Sequence, residues 1–91
     1  MLVVVVYDVP DDKRRLKLSK LLEGYGRRVQ FSMFECFLTL EEMRGLYERV
    51  GRQVKVKEDN VRFYWISRDA VSRVLTLGSE PPEGPPNAFI F

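Results

Sequence analysis

The residues best suited to chemistry lie in the first third of the chain, where one carboxylate precedes a group of cations. Asp8 ends an apolar run, Pro10 follows it, and Arg14 and Arg15 come soon afterwards. A carboxylate in this setting can hold a hydrated Mg²⁺ against a phosphate group. The alternative is that Asp8 only accepts hydrogen bonds from the amides of the turn before Pro10. One carboxylate alone is a poor metal site, because Mg²⁺ is usually held by one or two carboxylates with water and phosphate; a two-fold dimer could bring two copies of Asp8 together.

The residue types that are missing exclude several classes of enzyme. The chain has no histidine and one cysteine, Cys36. This excludes nucleophiles activated by a histidine base, His-ligated zinc, internal disulfides and cysteine-rich metal clusters. Cys36 lies in an apolar run and is interpreted as a small buried hydrophobe. Any catalysis must therefore use carboxylates, hydroxyls, lysine or arginine, together with a hard metal ion.

The positive charge is concentrated in one stretch. Residues 13–28 contain seven lysines and arginines against one glutamate, which gives +6, whereas the whole chain carries +2. Such a concentration is typical of a polyanion site, nucleic acid first, although a solvated helix face has the same composition. The candidate phosphate ligands are Arg14, Arg15, Lys17, Arg27 and Arg28.

Two further candidates follow in a strand-like segment. Ser32 offers a hydroxyl to a phosphate beside Arg27 and Arg28, and an exposed Phe34 would stack on a base. The alternatives are a serine that only fills a strand position and a phenylalanine that belongs to the core. The pattern leaves both alternatives open.

Regular patterns in the chain predict the elements that position these residues. Residues 2–7 are typical of a central strand, and residues 12–24 have the apolar spacing of a helix capped by Asp11 or Asp12. A capping box at Thr39 opens a second helix, which Gly51 ends. Residues 60–67 alternate as in a strand, and residues 74–77 predict another.

The segment over residues 27–38 is long for one strand. It is either strongly bent or folds back near Phe34 and Glu35, and no glycine, proline or asparagine marks a turn. The order β-α-β-(β)-α-β predicts a ferredoxin-like α+β fold.

The length of 91 residues predicts one domain, which we place over residues 1–78. Residues 79–91 are interpreted as a proline-rich linker and a terminal strand, because the apolar end Phe89-Ile90-Phe91 needs an edge on which to dock. That edge belongs to the chain's own sheet or to a second copy, and the reach of the linker favours the second copy. No apolar run approaches the ~20 residues of a membrane span, and no signal peptide precedes the first strand, so a cytoplasmic protein is expected.

Two stretches together resemble a known family. Val-Val-Val-Val-Tyr-Asp-Val-Pro-Asp-Asp-Lys-Arg-Arg near the start and Tyr-Gly-Arg-Arg-Val-Gln-Phe-Ser-Met-Phe-Glu-Cys after it resemble the small CRISPR-associated adaptation protein, the second in the Cas series. The likeness extends through Asp-Asn-Val-Arg-Phe-Tyr and the apolar C-terminal segment, and so covers nearly the whole chain.

The resemblance implies a ferredoxin-like homodimer, with two strands inside residues 27–38 and a last strand that crosses to the partner's sheet. It implies that Asp8, paired with its symmetry mate, serves a Mg²⁺-dependent endonuclease, acting on single-stranded RNA and in some members on double-stranded DNA. It also implies a bridge between two dimers of the adaptation integrase. Arg15 and Arg28 match basic residues tied to nucleic-acid handling, Ser32 and Phe34 match a Ser-x-Phe pattern, and Lys17 stands where some members carry arginine.

Two functional hypotheses therefore stand side by side. The first is a phosphodiesterase that uses paired Asp8 carboxylates and Mg²⁺. The second is a non-catalytic scaffold that grips DNA for the integrase; a toxin-like ribonuclease of similar fold is a third, more distant alternative.

Overall fold

The computed structural model describes residues 1–82, which form one antiparallel sheet with two long helices on one of its faces. The strands lie in the order β2-β3-β1-β4, and each neighbouring pair is antiparallel. The ferredoxin-like α+β fold predicted from the sequence is confirmed. The elements are β1 (Leu2–Asp8), α1 (Asp12–Glu23), β2 (Arg27–Gln30), β3 (Met33–Phe37), α2 (Leu40–Gln53), β4 (Asn60–Ile66) and the short α3 (Arg68–Val71).

Strand β1 is the centre of the sheet, as its run of valines predicted. Val3, Val5 and Tyr7 belong to the core cluster that α1 and α2 cover, with Leu22 and Leu46 among the helical members. The alternate residues of β1 face the other side of the sheet, because successive strand residues point to opposite faces. Asp8 is the last residue of β1 and lies on that second face.

Both long helices begin at side-chain caps. Asp11 accepts a hydrogen bond from the Arg14 amide at the start of α1, and the predicted capping box of Thr39 and Glu42 is present at the start of α2. Gly51, however, lies inside α2, which continues to Gln53. The prediction that Gly51 ends the helix was wrong because this glycine keeps the ordinary helical conformation: among the described residues, positive φ occurs only at Gly78.

Residues 27–38 form a hairpin rather than one bent strand. The reversal lies at Phe31 and Ser32, between β2 and β3, and the predicted position near Phe34 and Glu35 was wrong. Neither turn residue has positive φ, so the turn does not require the glycine or asparagine that usually marks a hairpin. A register shift between Arg28 and Gln30 accompanies it.

The strand predicted over residues 74–77 is absent. Leu75 and Leu77 are 93% and 100% exposed, and no strand within residues 1–82 pairs with this segment. A short apolar segment becomes a strand only when its backbone pairs with a neighbouring strand. The predicted terminal strand over residues 87–91 lies outside the described residues, as does most of the linker. No helix in the described part of the chain is long and apolar enough to cross a membrane.

Candidate functional site

Asp8 lies exposed at the end of β1, opposite Asn60 at the start of β4. Within residues 1–82, no hydrogen bond or ion pair engages its carboxylate. The amide at the following helix start is instead capped by Asp11. The structure thus gives no support to the interpretation of Asp8 as a turn-capping residue, and Asp8 is exposed.

Arg15 holds the loop that follows Asp8. Its Nη1 donates to the carbonyl oxygen of Val9 at 2.9 Å and to that of Pro10 at 3.3 Å. Its Nη2 pairs with Asp12. These bonds use one side of the guanidinium, and the side chain remains about one-third exposed. Arg15 therefore holds the loop that directly follows Asp8, a role that the sequence did not reveal.

Arg14 has an internal partner that the sequence did not predict. Its Nε and Nη2 donate to the two carboxylate oxygens of Asp59, each at 2.9 Å, and Nη2 also reaches Glu58 at 3.1 Å. The Asp59 side chain is fully buried and also accepts from the Lys55 amide at 2.8 Å. These bonds, chiefly those from Arg14, hold the pKa of Asp59 below its ordinary value.

This pairing changes the interpretation of Arg14. A largely covered guanidinium whose Nε and Nη2 donate to carboxylates is not a ready phosphate ligand, because its charge is already balanced and three of its five N–H groups are used. The pair joins the first turn of α1 to the connection that enters β4, on either side of Asp8. Arg14 is thus a structural residue of the site, and its prediction as a phosphate ligand is corrected.

Arg27 and Arg28 lie in β2 and point to different faces of the sheet. Arg27 is opposite Glu35, with an Nη2–Oε1 distance of 3.9 Å. Arg28 lies over the ring of Phe34, 5.1 Å from its centroid, and donates to the carbonyl oxygen of Phe31 at 2.7 Å. Arg28 also has its Nη2 3.8 Å from the Oε1 of Glu23. Both side chains remain 40–45% exposed, so a phosphate could approach part of each guanidinium from solvent.

Phe34 is fully buried in the core, so the prediction that it stacks on a base is wrong for this conformation. It faces the helices because β3 alternates and Phe34 lies opposite Val5, another core residue. The exposed aromatic in this region is Phe31, at 77% exposure. Sequence reasoning missed it because nothing in the composition marked a turn there.

Ser32 completes the turn beside the end of β1. Its carbonyl oxygen accepts from the amide of Tyr7 at 3.0 Å, and Tyr7 directly precedes Asp8. The hairpin turn and Asp8 therefore lie at the same end of the sheet. Ser32 is partly exposed, and its role toward a phosphate stays a prediction.

Three lysines give α1 a cationic outer face. Lys17 is exposed together with Lys13 and Lys20, and the spacing of four and three residues places all three on one side of the helix, along ~10 Å. In the described part of the chain no ion pair neutralises them. Their charge is therefore available to a polyanion, unlike that of Arg14.

The described residues of one chain do not form a complete metal site. Among residues 1–82, no group of three or more Cys, Asp and Glu side chains lies close enough together to hold a metal ion. Cys36 is buried, and burial raises the pKa of its thiol to about 11. Any metal at this end of the sheet would depend on Asp8, water and a second source of oxygen ligands.

A family model described as CRISPR associated protein Cas2 matches residues 1–74. The chain belongs to the Cas2 family. A relative from Synechocystis sp., named CRISPR-associated endoribonuclease Cas2 3, is 43% identical over 89 residues, which cover 98% of this chain and 97% of the relative. The resemblance seen in the sequence is confirmed.

Solved Cas2 structures share the fold. The crystal structure of Streptococcus pyogenes Cas2 at pH 6.5 is 38% identical, with a TM-score of 0.75 over 86% of this chain and 100% of that one. A chain of a structure titled partial Cas6-RT-Cas1–Cas2 complex is 37% identical, with a TM-score of 0.71 over 88% of this chain and 93% of that one.

Proposed function

We propose that this Cas2-family chain is a metal-dependent endonuclease of CRISPR adaptation that cleaves phosphodiester bonds through Asp8. The observation that carries the proposal is the exposed carboxylate of Asp8, without a partner among the described residues, at a strand end flanked by cations. The relative from Synechocystis sp. is named an endoribonuclease, which supports RNA as a substrate. Double-stranded DNA is the second substrate to test.

Asp8 fits a hard divalent cation such as Mg²⁺, which is usually held by one or two carboxylates together with water and phosphate oxygens. When bound, such an ion lowers the pKa of water and neutralises charge on the phosphate. The chain's own part is to present the carboxylate at a fixed strand end. Arg15 orders the loop that follows, and the Arg14–Asp59 pair ties that loop to the start of β4.

A second copy of the chain would supply the second Asp8. The face of the sheet opposite the helices carries apolar side chains that are only partly covered, such as Val6, Met33, Phe37 and Ile66, and Tyr64 is 47% exposed. A two-fold axis across such a face repeats every residue of it, Asp8 included. The apolar end Phe89-Ile90-Phe91 and the outer edge of β4, with which no other strand of residues 1–82 pairs, support the further proposal that the tail docks on the partner's sheet.

Dimer formation has a direct test by light scattering and small-angle X-ray scattering. Tyr64→Glu places a charge on the open face of the sheet and is expected to give monomers. Leu16→Glu is the matched control, because Leu16 is a comparably exposed apolar residue, 56%, on the outer surface of α1. A wild-type chain that is monomeric at all concentrations would refute the proposal of a shared site.

Catalysis is tested by Asp8→Asn, with matched single- and double-stranded RNA and DNA, in Mg²⁺ and in chelator. We expect cleavage to be lost and nucleic-acid affinity to be retained. Asp69→Asn is the control, since Asp69 is an exposed aspartate in α3, at the other end of β4. Undiminished cleavage by Asp8→Asn would refute the role of Asp8. Wild-type protein that binds but never cleaves would favour the scaffold hypothesis.

Nucleic-acid binding is assigned to the cationic outer face of α1, to Arg15 and to the β2–β3 hairpin with Arg27, Arg28 and Ser32. Each phosphate contact to a duplex contributes about −0.9 to the slope of log affinity against log salt. Lys17→Gln combined with Lys20→Gln should therefore make that slope shallower by about 2. Arg73→Gln, an exposed cation beyond α3, should leave the slope unchanged.

The solved Cas1–Cas2 assembly supports a further proposal, that this chain associates with the integrase Cas1 during adaptation. Co-purification of this chain with the Cas1 of its own system tests the association. Retention of the complex by Asp8→Asn would separate assembly from cleavage.

A further inference from the structure

The β2–β3 turn displays a phenylalanine that the fold does not need. Phe31 is 77% exposed, more than Tyr47, Tyr64 or Trp65, the other strongly exposed aromatics of the described residues. Its backbone has negative φ, and within residues 1–82 its ring stacks on no other aromatic ring. A polar residue would form the same turn without exposing apolar surface to water.

The turn that carries Phe31 is held firmly in place. Arg28 donates to the Phe31 carbonyl oxygen at 2.7 Å, and the Tyr7 amide donates to the Ser32 carbonyl oxygen at 3.0 Å. The second bond fixes the turn beside the end of β1, one residue before Asp8. A ring on an anchored turn loses little conformational freedom when a ligand covers it.

The surroundings of the ring favour a nucleic acid over a protein as its ligand. Its immediate chain neighbours, Gln30 and Ser32, are polar, and Arg28, whose guanidinium donates to the Phe31 carbonyl oxygen, is 40% exposed. The groove of about 470 Å³ on the other edge of the sheet is different, because three large apolar side chains, Met43, Phe63 and Trp65, line it with Tyr47, and its charged residues are one of each sign, Arg44 and Glu48. An exposed ring with a cation beside it can stack on a base while the cation binds the neighbouring phosphate. A ring among apolar side chains is instead typical of a surface that binds protein.

We propose that Phe31 is a stacking platform for an unpaired nucleobase next to the phosphodiester that Asp8 addresses. This inference rests on the proposed function and extends it, since a platform of this kind selects single-stranded segments. Bases in a duplex are already stacked on their neighbours, so they cannot cover the ring without being flipped out. Arg28, held against the same turn, would contact the adjoining phosphate.

The test measures equilibrium binding of a 12-nucleotide single-stranded RNA and of the matching duplex. Phe31→Ala and Phe31→Leu are expected to bind the single strand about 5- to 150-fold more weakly, as for loss of one stacked base, and Phe31→Trp to bind it at least as well as wild type. Duplex affinity and the salt slope should not change. Tyr47→Ala, an exposed aromatic on α2, is the control and should bind as wild type.

A second measurement identifies the base. An abasic nucleotide is moved through the single strand one position at a time, and one position should weaken binding to wild type without weakening binding to Phe31→Ala further. Wild-type affinity in Phe31→Leu, an equal loss for the duplex, or a change of oligomeric state in Phe31→Ala would overturn the proposal. Asp8→Asn separates the two proposals: it should keep the full Phe31 effect on binding while cleavage is lost.

Discussion

Gly26 is the residue where the structure allows the sharpest prediction. It lies just before β2, where the chain passes against β3. A Cβ added here would lie 2.3 Å from the Glu35 carbonyl oxygen, 2.5 Å from the Cys36 Sγ and 2.8 Å from the Cys36 Cα. Ordinary contacts begin at 3.4 Å, and two of these three atoms belong to the backbone of a central strand pair.

Gly26→Ala therefore forces β2 and β3 apart by about 1 Å, or tilts the hairpin away from α1. Overpacking of a close-packed interior costs about 1–3 kcal/mol, and we expect about 3 kcal/mol because backbone cannot rotate away as a side chain can. Against the ~5–14 kcal/mol expected for a chain of this length, this is a large fraction. The same shift would move Arg27, Arg28 and the turn that carries Phe31.

The assay is urea denaturation followed by circular dichroism, with single-strand binding measured on the same samples. Gly45→Ala is the matched control: it lies inside α2, and an added Cβ meets nothing within 4 Å. That variant should be more stable by about 0.5–1 kcal/mol. If the free energy of unfolding of Gly26→Ala lies within about 0.5 kcal/mol of the wild-type value, the close approach of β2 to β3 does not explain why glycine occupies this position.

Three further predictions concern the surroundings of the site. Because Arg14 lowers the pKa of Asp59, their pairing stabilises the fold at neutral pH, and this contribution is lost as the pH falls through that lowered pKa. The urea midpoint should therefore fall less steeply between pH 7 and pH 2 for Asp59→Asn than for wild type. Parallel curves for the two proteins would contradict this. With the pKa of its thiol raised to about 11, Cys36 should react with a thiol reagent at pH 8 only after the protein unfolds; rapid reaction of the native protein would refute the burial. Thr39→Ala removes the capping box and should cost about 1 kcal/mol, whereas Ser67→Ala, at a helix start whose side chain makes no capping bond, should have no effect on the urea midpoint.

The fold could be predicted closely from the sequence because its signals are local. The valine run of β1, the apolar spacing of α1 and the capping box at Thr39 each act within a few residues. The β2–β3 turn was misplaced because Phe31 and Ser32 adopt negative φ and leave no compositional mark. The strand predicted over residues 74–77 pairs with no strand of the described residues, and its two leucines remain exposed.

The candidate site, too, could be predicted from the sequence only in part. Amino-acid order alone identified Asp8, the cationic stretch and the exclusion of histidine chemistry, since each depends on residue identity and on distance along the chain. Which cations remain available was decided by tertiary structure. Arg14 finds Asp59 forty-five positions away and is neutralised, whereas the lysines of α1 stay exposed.

The two phenylalanines of the hairpin show the reason most clearly. Phe31 and Phe34 have the same side chain three positions apart, yet one lies in water and the other in the core. Phe34 is buried because it takes the core face once β3 pairs with β1, whereas Phe31 lies in the turn between the paired strands. A one-residue change of register would turn Phe34 to the other face. Composition and spacing therefore determined the elements and the chemistry available, and only the pairing of the strands decided which side chains can reach a ligand.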